Sequence, residues 1–137
     1  MIYQIVSDKI CKKVTVIHPS DALPLFKPYF KYAQETFSVI LLNGHHDSIK
    51  CCLISVGLIN STIVHPREVF CEAVRELAAA IIVGHNHPSG CLEPSSEDIA
   101  VTRRLKEAGE ILGIPLLDHF IYNSNGEYYS FLEDDAL

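Results

Sequence analysis

His85 and His87 stand two residues apart at the end of an apolar run, Ala80–Val83, and Asp98 follows eleven residues after the second histidine. Residues i and i+2 of a strand share a face, so a strand beginning at Ala80 would deliver both imidazoles to one place. Gly84 and Gly90 supply backbone freedom around them, Pro88 supplies stiffness, and Ser89 shapes the Pro-Ser-Gly turn. Two imidazoles and one carboxylate make three protein ligands, the count of a catalytic zinc site that leaves a position for water. Structural zinc sites use four ligands, mostly sulfur. Asp98 also has a purely structural reading. Ser95-x-x-Asp98 ahead of an apolar helical run is a capping-box pattern, so Asp98 could simply cap that helix. Cys91 lies in the same loop, either as a fourth, soft ligand that would close the site or as a bystander. His18, His45, His46 and His65 have no comparable context and read as solvated surface groups.

The elements that must position these residues can be read from the hydrophobic pattern. Met1–Val6 reads as a peripheral strand and Lys13–His18 as a short one ended by Pro19. Ser20-Asp21 can cap a helix over Ala22–Ala33, with a break expected at Pro28. Glu35–Leu42 and Ser48–Val56 read as two strands joined through Asn43-Gly44, and Gly57–Val64 as a loop or short strand. His65-Pro66 opens a helix over Arg67–Ala79, with Val69, Phe70, Ala73, Val74 and Leu77 on one face and Glu68 and Glu72 near its positive end. Ser95–Leu112 is the clearest helix, its apolar positions Ile99, Val101, Leu105, Ala108, Ile111 and Leu112, closed by Gly113. Ile114–Tyr122 reads as a strand interrupted by Asp118-His119. Asn123–Glu127 is a turn, and Tyr128–Leu132 pairs back. Strands alternating with helices, plus hairpins, predict an α/β domain with a mixed β-sheet flanked by helices.

The chain has 137 residues, the common size of one domain, and is read as a single domain over 1–137 with 1–17 as a peripheral segment. Its formal charge is −6, which disfavours non-specific nucleic-acid binding, because that rests on Lys and Arg neutralising phosphates. The opening MIYQIVSDKICKK reaches its lysines late, the reverse of a secretory leader. No apolar run approaches membrane-spanning length. Five cysteines (Cys11, Cys51, Cys52, Cys71, Cys91) without a secretion signal predict free thiols and a cytoplasmic, reducing setting.

Gly84-His85-Asn86-His87-Pro88-Ser89-Gly90, then Pro94-Ser95 and Asp98, spell His-x-His, seven residues, Ser, two residues, Asp. This resembles the JAMM/MPN+ metalloprotease motif. His65-Pro66-Arg67-Glu68-Val69-Phe70 and Leu117-Asp118-His119 resemble the bacterial RadC family in particular, and the resemblance covers about residues 18–132. It implies a JAB/MPN domain with a fold similar to that of cytidine deaminases. It implies one zinc ion, Zn2+, held by His85, His87 and Asp98. It implies Glu35, which leads ETFSVILLNG, as the general base, and Ser95 as a donor to the developing oxyanion. Such an arrangement hydrolyses a peptide or isopeptide bond in a peptide or protein substrate: the metal makes water acidic, a carboxylate moves its proton, and a donor stabilises the tetrahedral intermediate. Asp118 and His119 read as a supporting or substrate-side pair, or as a structural hydrogen bond.

Three lookalikes fail. Contiguous His85-Asn86-His87 is not the dispersed constellation of HNH nucleases, and the signatures of zinc deaminases and of zincins are absent. The runner-up function is a non-catalytic DNA-repair or DNA-processing accessory domain that retains the metal site, because RadC-like proteins carry a DNA-repair label. Many of them have a helix-hairpin-helix region before this domain. Only a short segment precedes residue 18 here, so intrinsic nucleic-acid binding is not expected. A metal-dependent nuclease ranks third, since one carboxylate ligand does not make a two-metal clamp. Hairpin edges permit a homo-oligomer.

Overall fold

Six strands form one sheet in the computed structural model, which describes residues 7–9, 13–58 and 64–137. In chain order the elements are β1 (Ser7–Lys9), a 3-10 helix (Pro19–Tyr29), β2 (Thr36–Leu42), β3 (Ser48–Val56), α1 (Pro66–Arg75), β4 (Ala80–Asn86), α2 (Ser96–Leu112), β5 (Leu116–Tyr122) and β6 (Tyr128–Ser130). Across the sheet they run β1-β3-β2-β4-β5-β6. β4 and β5 are parallel, which requires the crossover connection that α2 supplies, and the other neighbours are antiparallel. The mixed α/β architecture is the expected one.

Every residue of β2 and β4 is buried, because the sheet is covered on both faces. This is why their sequences are continuous apolar runs rather than alternating ones. On one face Phe37, Val39, Leu41, Ile81 and Val83 meet Val69, Phe70 and Ala73 of α1 and Val101 and Leu105 of α2. On the other, Ile40, Leu42, Ile82, Phe120 and Tyr122 meet Phe26 and Tyr29 of the 3-10 helix. Gly84 lies where that second layer is tightest: a Cβ there would stand 2.9 Å from the rings of both Phe26 and Tyr122. A side chain would push the aromatic layer off the strand that carries the histidines.

Several local expectations need correcting, each for a physical reason. The helix expected over Ala22–Ala33 is the 3-10 helix, since Pro24 and Pro28 have no N–H for an i→i−4 ladder. Lys13–His18 makes only an isolated bridge, Thr15 to Asp47. Helix α1 ends at Arg75, four residues short of the expected Ala79, and Leu77 takes φ 53. Val74 and Leu77 are 51% and 86% exposed instead of in the core, and Glu68 and Glu72 are buried on the inner face. Glu72 is stabilised there by Lys50, whose Nζ donates at 3.0 Å. Ile99, Ile111 and Leu112 of α2 likewise face outward, while Asp98, Thr102 and Gly109 join Val101 and Leu105 on the buried side. β5 runs through Asp118-His119 without interruption. The strand expected at Met1–Val6 lies outside the described residues, as do positions 59–63 of the segment Gly57–Val64.

Cys51 is disulfide-bonded. This corrects the expectation that all five thiols are free; Cys71 and Cys91 are. Among the described residues no helix is long and apolar enough to cross a membrane.

Gly109 sits where α2 passes closest to the chain returning into β5, and a Cβ there would lie 2.5 Å from the Ile114 carbonyl oxygen. Backbone cannot rotate out of the way as a side chain can. Gly109→Ala is therefore expected to destabilise the fold by about 1–3 kcal/mol through overpacking, despite alanine's better helix propensity. Urea unfolding of the variant measures it, and an increase in stability would show that α2 can shift along the sheet.

Candidate metal centre

β4 delivers the two histidines. His85 pairs in register with Phe37 of β2 and Ile121 of β5 and is wholly buried on the face that carries Phe37. The Phe37 and His85 rings stack with centroids 6.0 Å apart. His87 lies just past the strand end, where its N–H still bonds the Tyr122 carbonyl at 2.9 Å, so the chain holds the strand direction for one further residue. The loop then turns at Gly90, φ 88, and Asn123 Nδ2 donates to the Gly90 carbonyl. α2 begins after Ser95 and returns Asp98 to the histidines.

His85 Nε2, His87 Nε2 and the Asp98 carboxylate converge. The two nitrogens are 2.9 Å apart. His85 Nε2 is 3.1 Å from Asp98 Oδ1, and His87 Nε2 is 3.1 Å from Asp98 Oδ2. Among the described residues this is the group of His, Cys, Asp or Glu side chains whose ligand atoms could hold a metal ion. For zinc bonds of about 2.0–2.1 Å, tetrahedral ligand atoms stand roughly 3.3 Å apart, so the cluster needs to open by only a few tenths of an ångström. The proton bookkeeping also fits a cation. The Cys91 carbonyl is 2.8 Å from His87 Nδ1. A carbonyl only accepts, so Nδ1 carries a proton, and Nε2 is the ring nitrogen that faces the cluster.

The electrostatics point the same way. Burial alone would raise the Asp98 carboxyl, but hydrogen bonds from His85 and His87 and from the Ser95 N–H hold it far below the usual carboxylate range. Burial opposes charge on His87, yet the Asp98 hydrogen bond, the Cys91 carbonyl and the negative charges of Asp98 and Glu35 together raise its pKa above 6.5. An ionised Asp98 carboxylate beside the two rings makes a positive charge in the cluster favourable.

The two readings of Asp98 coexist. Its Oδ2 accepts from the Ser95 N–H at 2.8 Å, and its own N–H donates to Ser95 Oγ at 3.1 Å, a reciprocal capping box. The carboxylate therefore starts α2 and faces the histidines at once. Ser95 Oγ acts as an acceptor in this cap, so capping does not consume its hydroxyl proton. Cys91 is exposed and contributes its carbonyl, not its thiol, to the cluster.

Glu35 is half-buried in the segment leading into β2 and lies close enough for its charge to act on His87. That segment is fastened by a residue the sequence did not single out. Asn86, between the two histidines and facing the opposite way, is fully buried. Its Oδ1 accepts from the Thr36 N–H at 2.6 Å and the Thr36 hydroxyl at 2.8 Å. Its Nδ2 donates to the carbonyls of Tyr32 and Gln34 at 3.1 and 3.0 Å. One amide thus spends all its hydrogen-bonding capacity on both sides of Glu35. Asn86→Ala would remove four hydrogen bonds, two to Thr36 and two to carbonyls, an expected loss of about 2–4 kcal/mol from bonds each worth roughly 1 kcal/mol net. Thermal unfolding measures it, and a change within about 0.5 kcal/mol, the scale of ordinary surface substitutions, would show that water replaces the amide.

Asp118 and His119 part company, because adjacent strand residues face opposite ways. Asp118 fastens β5 to the chain around β6, accepting from the His119 and Leu132 N–H groups and from the Ser130 hydroxyl. His119 points to the cluster: its Nε2 is 2.8 Å from His85 Nδ1, and its Nδ1 is 2.6 Å from Thr102 Oγ1.

Residues 16–136 match the family model described as RadC-like JAB domain. The chain is 55% identical over 114 residues to a UPF0758 protein of Pelobacter propionicus, covering 80% of this chain and 49% of that protein. It is 50% identical over 120 residues to one of Clostridium novyi, covering 87% and 52%, and 52% identical over 114 residues to one of Staphylococcus epidermidis, covering 82% and 50%. The chain thus spans about half the length of the curated relatives it matches.

Proposed function

The chain belongs to the RadC-like JAB domain family, and from that premise we propose that it is a zinc-dependent hydrolase of peptide or isopeptide bonds. The single observation that carries the reading is the convergence of two imidazole Nε2 atoms and an ionised carboxylate within 2.9–3.1 Å. His85, His87 and Asp98 would hold the ion. Bound there, zinc would polarise a substrate carbonyl and bring the pKa of a water near neutrality.

The remaining work falls to the chain. Glu35 takes a proton from the attacking water and passes it to the departing amine. Ser95 donates its uncommitted hydroxyl proton to the oxyanion as the carbonyl becomes tetrahedral. Asn86 holds the backbone on either side of Glu35, so that the carboxylate need not order itself at each turnover. The likeness of this sheet to the cytidine deaminase fold belongs to the same reading.

The test is hydrolysis of short peptides and of lysine-linked isopeptides by zinc-loaded protein, with a Glu35→Gln control. Cleavage that follows zinc content and needs Glu35 is the expected result. Equal cleavage by chelator-treated protein, or no cleavage of either bond by fully loaded protein, would overturn the reading.

A further inference from the structure

We propose that the pocket between the end of the 3-10 helix and the β5–β6 turn, rimmed by Lys27 and Lys31, is a subsite for an acidic segment of the peptide substrate, seating one large apolar side chain between flanking carboxylates. The inference rests on the hydrolase reading above and names the substrate class of that same centre.

The pocket holds about 400 Å³, within the range of small-ligand sites. Pro28 and Phe30 form one wall, with Lys27 and Lys31 beside them, and the turn Ser124–Gly126 forms the other. Both walls are fixed. The Phe30 ring rests on Tyr122 with centroids 4.8 Å apart. The turn is organised by buried Asn123, whose Oδ1 accepts from the Asn125 and Glu127 N–H groups at 3.0 and 3.1 Å. Asn123 Nδ2 donates to Glu127 Oε1 at 2.9 Å, which engages that carboxylate. Among the described residues no acidic side chain lines the pocket. Lys27 and Lys31 are exposed, and among the described residues neither has an ion-pair partner. Two unpaired cations thus stand beside an apolar surface in a chain of formal charge −6. Carboxylates gain from the cations, and an apolar side chain gains by leaving water against Pro28 and Phe30.

Position ties this pocket to the metal centre. Tyr122, under Phe30, is in register with Asn86, and its carbonyl accepts the His87 N–H at 2.9 Å. Asn123, which shapes the turn, also donates to the Gly90 carbonyl of the loop that follows His87. Both walls therefore stand at the carboxyl ends of the parallel strands β4 and β5, where open α/β sheets bind ligands. From Lys31 the chain runs through exposed Tyr32 to Glu35, fastened on the way by the Asn86 bonds to the Tyr32 and Gln34 carbonyls. Four residues of chain span at most about 14 Å, so a peptide of similar length laid along this segment reaches from the lysines to Glu35. Nucleic acid is the poorer occupant, because two cations neutralise few phosphates and the net charge of the chain repels the rest.

Fluorescence anisotropy on the whole zinc-loaded chain tests this, in a Glu35→Gln background so that cutting does not deplete the probe. Four labelled probes are compared: an alanine-serine decapeptide with a central Glu-Phe-Glu, its Lys-Phe-Lys and Glu-Ala-Glu counterparts, and a single-stranded DNA decamer. At low salt the Glu-Phe-Glu peptide should bind about 2–30-fold tighter than the Lys-Phe-Lys peptide, the range two exposed ion pairs supply, although the chain as a whole is negative. It should also bind tighter than Glu-Ala-Glu, which has nothing to fill the pocket. Lys27→Glu combined with Lys31→Glu should reverse the charge preference, and both positions are exposed, so the variant should fold. Arg67→Glu combined with Arg103→Glu makes the same change of net charge at exposed positions on α1 and α2, across the sheet, and should leave the order unchanged. Equal binding of the peptides, an equal effect of the arginine pair, or tighter binding of the DNA would overturn the subsite. Wild-type protein that cleaves peptides without charge preference would overturn the subsite and leave the hydrolase reading standing. Lysine-dependent peptide binding without cleavage of any peptide would overturn the hydrolase reading, and with it the assignment of the pocket to a substrate.

Discussion

Zinc is expected to raise the thermal unfolding midpoint of this chain by about 5–10 °C when its free concentration is roughly 100 times its dissociation constant, and His85→Ala to abolish the increment. A ligand that binds only the folded state adds about 2.7 kcal/mol at that ratio, and each kcal/mol moves the midpoint of a domain of this size by roughly 2–4 °C. The unfolded chain has no competing site of comparable quality, since Asp98 meets the histidines only after α2 has docked against β4. Removing His85 takes away the fully buried ligand and leaves one imidazole and a carboxylate. The affinity lost then exceeds the roughly 10–100-fold that attaches to an outer partner such as His119. His45→Ala, at an exposed position in the β2–β3 turn, should retain the full increment and so controls for adventitious zinc. Differential scanning calorimetry with and without chelator reads both variants. An increment surviving in His85→Ala would place the ion elsewhere.

Glu35→Gln is expected to lower peptide-bond hydrolysis by about 10²–10⁴-fold, the usual contribution of a positioned proton carrier, with zinc affinity unchanged. The substitution is nearly isosteric, keeps the backbone bonds that Asn86 makes on either side, and touches none of the three ligands. A loss of turnover without loss of metal therefore separates proton transfer from metal binding. Zinc content by atomic absorption and turnover on the same preparation give both numbers. If turnover survived, the base would have to be sought elsewhere around the cluster. If zinc fell in parallel, the Glu35 charge that raises the His87 pKa would prove to be part of the metal site itself.

Much of the frame around these residues could be read before any coordinates. β3 spans Ser48–Val56 as expected, and α2 starts one residue after its predicted cap, because hairpin turns and capping boxes are local signals. The i, i+2 histidines were legible for the same reason: a strand's period needs no distant partner. Misreadings arose where apolar letters stood for exposed residues or polar letters for buried ones. Leu77 carries the apolar pattern of α1 beyond its true end at Arg75, and Val74, inside the helix, is exposed rather than in the core. Asp118 and His119 broke β5 on paper because two polar residues inside a strand read as an exit, whereas each is buried and bonded by groups distant in sequence. Asn86 gave no sign of its role, since the groups it holds lie 50 or more residues upstream. Thr102, His119 and His85 form one chain of contacts, and no local window contains all three.

The double use of Asp98 restricts what the chain can become. Histidine or cysteine at that position could still bind a metal ion, but neither would accept the Ser95 N–H as the carboxylate does, and α2 would lose the reciprocal half of its capping box. Asparagine could keep the cap while surrendering the charge. The oxygen in this donor set is thus retained by a requirement of helix initiation as much as by any preference of the ion. A variant with altered metal selectivity at this position would therefore also carry a cost in helix stability, about 1 kcal/mol for a lost capping bond. Room for retuning the centre lies in the two histidines and the groups behind them.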